Sequence, residues 1–278
     1  MATTHTPPAR PDLAEVTTRQ QRVWSSGDFA MVASRIVLTS ELLADAADLR
    51  AGWRVLDVAC GTGNAAIAAA RSGTRAVGID YVPALLEDAR VRAGAEGLDV
   101  EFRVGDAQDL PVDDDSFDAV LSVFGAMFAP DHERTAHEIV RAARPGGTVA
   151  LASWRPDGFI GDMFRVIAAR VPGPPGVASP LLWGTEAHLA ELFGGAVADT
   201  RSTERICTFR FSSAQEFVEF FRRWYGPTHM AFESLDPTGR RELAADLTDL
   251  ARRWDRYRGD QDAVALPASY LESVITLR

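Results

Sequence analysis

Residues 54–80 read Arg54-Val55-Leu56-Asp57-Val58-Ala59-Cys60-Gly61-Thr62-Gly63-Asn64-Ala65-Ala66-Ile67-Ala68-Ala69-Ala70-Arg71-Ser72-Gly73-Thr74-Arg75-Ala76-Val77-Gly78-Ile79-Asp80. The apolar run from Val55 to Ala59, broken by one acid, predicts a buried strand. Cys60 to Asn64 is a glycine turn, Ala65 to Arg71 a small-residue helix, and Ala76 to Ile79 a second strand closed by Asp80. This order predicts a mostly parallel α/β sheet. Gly61 and Gly63 permit positive φ and let a ligand approach the backbone with no Cβ between. The helix start offers unpaired N–H groups and a positive dipole end. An acid at the tip of the second strand can accept hydrogen bonds from ribose hydroxyls, and nucleotide-type ligands bind at these carboxyl ends.

Gly61-x-Gly63-x-x-Ala66, with an acid about 20 residues on, satisfies the loose dinucleotide fingerprint. Asp57 shifts the balance. A dinucleotide strand is normally apolar there, and an acid inside a buried strand is costly unless hydrogen-bonded. Here it can orient the glycine loop and, directly or through water, receive the ammonium of an amino-acid ligand. An amino acid joined to a nucleoside is S-adenosylmethionine (SAM).

Val55 to Gly63 resembles the first motif of class I SAM-dependent methyltransferases. The nearest likeness is to the small-molecule branch that includes ubiquinone/menaquinone-biosynthesis-type enzymes (methyltransferase types 11 and 25). The resemblance runs from about Gly52 to Trp154, because three further motifs follow in order: Gly105-Asp106-Ala107, the strand Phe117 to Phe124, and Arg144-Pro145-Gly146-Gly147 before the strand Thr148 to Trp154. It implies a Rossmann-like sheet with an antiparallel last strand, N-terminal lid helices, and SAM as cofactor with S-adenosylhomocysteine (SAH) as product. It implies cofactor contacts from Asp57, from the turn residues Cys60, Gly61, Thr62 and Gly63, and from Asp80 on the ribose. Tyr81 would lie along adenine or ribose. Asp106 would accept the exocyclic amine of adenine, and the Ala107 N–H would face a ring nitrogen. Ser122 and Phe124, at the end of the fourth strand, would face the methyl group.

The rest of the chain bounds the reading. A net charge of −10 disfavours a bare nucleic acid as partner, since that affinity comes largely from cations on phosphates. Every basic residue is Arg, which excludes lysine chemistry. Cys60 and Cys207 have no metal-ligand spacing, and no metal is expected. The first residues lack a signal-peptide pattern and no apolar run suffices for a membrane span, so a cytoplasmic protein is expected.

The expected organisation is a disordered tail (1–11), a helical lid (12–50), a SAM-binding core (51–211), a helical substrate cap (212–260) and a last strand (261–278). Asp12 should cap a first helix to Ser25, and a second should run from Phe29 to Leu49. Trp24 and Phe29 either touch the ligands or pack the lid on the core. Aromatic residues crowd residues 217–232, as small-ligand pockets favour. The expected acceptor pocket comprises Trp24, Phe29, Phe128, Trp154, Trp224 and His229. No residue is compelling as a general base; His229 stands ahead of His132. The expected activity is methyl transfer from SAM to an apolar or aromatic small molecule, mainly by proximity and orientation. A protein or RNA acceptor, a SAM-binding protein that transfers nothing, and an NAD-type oxidoreductase (against which Asp57 and Asp106-Ala107 argue) are the rivals.

Overall fold

A computed structural model describes residues 11–258 and 262–278. Most of the expected tail therefore lies outside the described residues, as do residues 259–261 at the expected junction of cap and last strand.

The strands are β1 (Arg54–Val58), β2 (Arg75–Asp80), β3 (Val100–Val104), β4 (Phe117–Val123), β5 (Ala143–Trp154), β6 (Val197–Phe211) and β7 (Val264–Leu277). They form one sheet in the order β3-β2-β1-β4-β5-β7-β6. The pairings from β3 to β5 are parallel, whereas β7 runs antiparallel to both β5 and β6. Val55, Leu56 and Val58 of β1, and Ala119, Val120 and Leu121 of β4, are buried, as parallel strands covered on both faces must be. The strand order reverses between β1 and β4, where open α/β sheets form their ligand crevice.

Arg144–Gly147 is a bulge inside β5. Its pairing with β4 jumps from Phe117↔Ala143 to Ala119↔Thr148. The helix after the glycine turn, α4 (Asn64–Arg71), is buried from Asn64 to Ala70. Its alanines let it sit close to the sheet on one side and to α3 (Val37–Ala46) on the other. The region expected as one helix from Phe29 to Leu49 is two: α2 (Phe29–Ala33) and α3. The break at Ser34–Ile36 turns Ala33 and Ile36 toward the crevice, where both line it.

Helix α1 (Leu13–Trp24) is capped by Asp12 and has no fully buried residue. Two polar links hold it over the sheet: Gln21 Nε2 donates to the Tyr81 carbonyl at 2.5 Å, and Gln108 Nε2 donates to Thr17 Oγ1 at 3.0 Å. After α4 the chain forms α5 (Pro83–Ala95), α6 (His132–Ala142), α7 (Phe159–Ala168) and α8 (Glu186–Phe193), and between β6 and β7 come α9 (Ala214–Trp224), α10 (Gly226–Ser234) and α11 (Pro237–Trp254). The α1–α2 turn docks on them backbone to backbone: Asp28 N–H donates to the Trp224 carbonyl at 3.1 Å. A Cβ on Gly226 would stand 2.2 Å from the Val23 carbonyl oxygen, so no side chain fits there. Gly226→Ala should lower stability by about 1–3 kcal/mol, because neither backbone can yield. Its thermal midpoint checks this; an unshifted midpoint would mean that α1 is only loosely seated.

Candidate functional site

A cleft of about 860 Å³, its mouth included, crosses the carboxyl ends of β1 to β4. Its floor is set by strained backbone. Ala59, just past β1, has φ 53° and Phe124, just past β4, has φ 51°. Non-glycine residues seldom adopt this region, and such strain gathers at functional sites. Gly125 follows because a Cβ there would lie 2.3 Å from the Ala59 carbonyl oxygen.

Two acids organise the glycine turn. Asp80 accepts the Gly61 N–H at 2.8 Å and the Val82 N–H at 2.9 Å. Burial raises its pKa to about 6, against the lowering effect of those N–H groups. Asp57 accepts the Ala66 N–H, in the first turn of α4, at 2.8 Å. Burial raises its pKa to about 8; the Ala66 N–H opposes this and the charge of Asp80 adds to it. Asp57 is therefore largely a neutral carboxylic acid at pH 7. From outside, Arg92 Nη1 clamps the turn, donating to the Thr62 carbonyl at 2.6 Å and to Asn64 Oδ1 at 2.7 Å.

Of the residues expected at a cofactor, Asp57, Cys60, Gly61, Thr62, Asp80, Tyr81, Asp106, Ala107 and Phe124 line the cleft. Two do not. Ser122 is buried behind the wall, where its hydroxyl donates to the Val58 carbonyl and accepts the Ala126 N–H. Its role is to tie β4 to β1 rather than to face a methyl group. Gly63 caps α4 with φ 80°, and a Cβ there would meet the Phe102 ring at 2.9 Å, so it lies against β3 and not in the cleft.

A smaller apolar chamber, a narrow recess of about 370 Å³ with its open mouth included, adjoins the cleft and shares Trp24, Phe29, Ile36, Phe124 and Phe128 with it. Trp154 lines the chamber, stacked on Phe124 with ring centroids 3.6 Å apart. Trp224 and His229 line neither space. Trp224 turns outward under the Arg223 guanidinium, and His229 Nδ1 lies 3.2 Å from the Arg222 carbonyl. His132 also lies elsewhere, with its Nδ1 2.9 Å from His188 Nε2; burial and the neighbouring imidazole lower its pKa to about 4. None of the expected bases thus reaches the site. Sequence reading missed Gln20, Ile160, Met163 and Phe209 as lining residues, and placed Tyr225 and Phe221 only among the cap aromatics. The helix period of α9 held the signal, since Phe217, Phe220 and Phe221 share its buried face.

The cleft's lining has the chemistry that a SAM-like ligand needs. Asp80 offers acceptor lone pairs beside a glycine turn; among the described residues the Ala107 N–H has no acceptor, whereas both Asp106 oxygens are engaged by Gln108, Oδ1 by its N–H and both by its Nε2 at 3.1 Å. No group able to hold a metal occurs among the described residues.

Comparison with known proteins agrees. The family model Methyltransf_11, described as a methyltransferase domain, matches residues 56–151. An uncharacterized protein of Mycobacterium tuberculosis is 37% identical over 270 residues, spanning 95% of this chain and 92% of that one. A demethylmenaquinone methyltransferase of Thermus thermophilus is 36% identical over 159 residues, covering 51% of this chain and 72% of that one. The structure of Haemonchus contortus phosphoethanolamine N-methyltransferase 2, in complex with phosphomonomethylethanolamine and SAH, aligns with TM-score 0.54 at 17% identity, over 96% of this chain and 60% of that one.

Proposed function

The chain belongs to the class I SAM-dependent methyltransferases, and we propose that it methylates an uncharged, apolar or aromatic small molecule held in the inner chamber. The observation that carries this reading is the chamber itself, which shares Phe124 and four other lining residues with the cleft and has no charged side chain in its lining. A peptide or an RNA backbone brings polar groups that such walls cannot satisfy. The likeness to a demethylmenaquinone methyltransferase, whose acceptor is a small molecule by its name, points the same way.

When bound, SAM supplies an already activated methyl group. The chain's residues bind and orient. Asp80 would accept the ribose hydroxyls, Asp106 and the Ala107 N–H would receive adenine, and Tyr81 would lie along the nucleoside. Asp57 would face the methionine ammonium while holding the first turn of α4. Phe124 stands where the two spaces meet, so it would set the distance at which acceptor and methyl carbon approach. With no base candidate in the chamber, rate comes from holding an acceptor at about 3–3.5 Å in line, and from excluding water. Helices α1 and α2 cover the cleft, and α9 with the turn into α10 closes the chamber, which supports roles as lid and substrate cap. Two free cysteines and the absence, among the described residues, of a helix long and apolar enough to cross a membrane support a cytoplasmic setting.

Methyl-labelled SAM incubated with the protein and a lysate of its source organism tests the proposal. Label is expected in the organic extract. Label in protein or nucleic acid would instead establish a macromolecular acceptor, and SAH binding without any transfer would favour a non-catalytic binder.

A further inference from the structure

The chamber has almost no polar surface. Among its lining side chains the polar atoms are the Tyr225 hydroxyl, the indole N–H groups of Trp24 and Trp154, and the Met163 thioether. Trp24 is half-buried at the boundary with the cleft, whereas Tyr225 is buried. Burial alone raises the Tyr225 pKa: no charge and no hydrogen bond acts on its hydroxyl. Among the described residues, the side-chain atoms sealed inside the protein without a partner belong to Ser40, Trp183 and Thr228, whereas the sealed Arg205 Nε and Glu272 Oε2 pair with each other at 2.6 Å. The Tyr225 hydroxyl, also without a partner among the described residues, is not one of these sealed atoms, and Tyr225 lines the chamber.

The fold holds this ring with care. Tyr225 sits at the junction of α9 and α10, its N–H bonded to the Phe221 carbonyl at 3.1 Å. Its ring packs edge-on against Trp24 at 5.5 Å and Phe221 at 5.6 Å. The next residue is Gly226, whose backbone abuts Val23. An apolar interior gains nothing from a phenol in place of a phenyl ring, since an unpaired buried hydroxyl costs free energy. A ligand oxygen repays that cost.

We propose that Tyr225 is the specificity-determining residue of the acceptor chamber, its phenol donating a hydrogen bond to an uncharged oxygen of a planar ring acceptor. The proposal rests on the chamber being the acceptor site. A carboxylate acceptor is refused, because the chamber has no cation to pair with it. A pure hydrocarbon binds less well, because it leaves the phenol unpaired. The raised pKa keeps the phenol a donor throughout the working pH range.

The test uses the full chain saturated with SAH and three monocyclic probes followed by fluorine NMR: 4-fluoroanisole, 1-ethyl-4-fluorobenzene and 4-fluorobenzoate. The first two have nearly the same shape and differ by one ether oxygen. The anisole should bind about 3- to 10-fold tighter than the ethyl compound, and the benzoate not measurably. Tyr225→Phe should bring the ratio to about one without shifting the thermal midpoint downward. Trp154→Phe should leave the ratio in place. A ratio that survives Tyr225→Phe, or that collapses in Trp154→Phe instead, overturns the assignment. SAH titration separates the two levels: SAH binding with no probe bound defeats the chamber proposal alone, whereas absence of SAH binding defeats the cofactor site and this proposal with it.

Discussion

Asp80→Ala is expected to weaken SAH binding about 10- to 100-fold or more and to leave the sheet standing. A charge-assisted hydrogen bond to a ribose hydroxyl contributes about 1.5–3 kcal/mol, equivalent to that range. The structure adds a second loss. The same carboxylate holds the Gly61 and Val82 N–H groups, so its removal leaves both without their acceptor and frees the glycine turn. Asp80→Asn, which keeps one acceptor oxygen, should fall between the variant and the native protein. The pH dependence has a definite sign. The free protein's Asp80 titrates at about 6. Ribose hydroxyls prefer the ionised, acceptor-only form, so the contribution of Asp80 to affinity should be complete above pH 7 and be lost as pH drops through 6. Calorimetric titration from pH 5 to 8 measures this. Native affinity in Asp80→Ala, or affinity independent of pH, would remove Asp80 from the ribose.

The place of that acid in the cleft was legible in the sequence because it follows from position: it ends a strand beside a glycine turn, and the sheet fixes where strand ends meet. The same holds for Asp57, Tyr81 and Asp106-Ala107, each within a few residues of a strand terminus. The acceptor side was legible only as composition. Residues 217–232 are rich in aromatics, but which of them faces inward depends on the rotation of α9 and on the turn at Gly226, set by contacts with α1 some 200 residues earlier in the chain. Adjacent residues on a helix point about 100° apart, so Trp224 and Tyr225 part ways: one is turned outward, the other into the chamber. Ser122 and Gly63 failed for another reason. Both belong to motif segments that reach the site, but strand alternation and helix capping aim these two at the protein interior.

Asp57 carries the other large effect. Replacing it with Asn should stabilise the protein by about 5 kcal/mol at pH 8 and by only about 1–2 kcal/mol at pH 5. The folded state holds the Asp57 proton up to about pH 8, whereas the ordinary value for an unfolded chain is 3.8. Between these values the folded state binds more protons than the unfolded one, so stability falls as pH rises. A shift of about four units at about 1.4 kcal/mol each sets the full loss on the order of 5 kcal/mol. Asp80 adds a smaller decline confined to about pH 4–6, and buried His132 an opposing rise that ends just above its ordinary value of 6.5, so above about pH 7.5 the slope belongs to Asp57. Asn keeps an oxygen for the Ala66 N–H and never ionises, so its variant should show a flat stability from about pH 7.5 to 8.5. Parallel slopes in the two proteins over that window would mean that Asp57 is not the titrating group. Retaining so costly an acid makes sense if a cation offsets it in the working complex. The ammonium of SAM is such a cation, and its approach would drive Asp57 to ionise. Binding at pH 7 should therefore release a proton, visible as a binding enthalpy that changes between buffers of different ionisation enthalpy. Asp57→Asn should abolish that buffer dependence and weaken SAM binding, and a buffer-independent enthalpy in the native protein would place the ammonium away from Asp57.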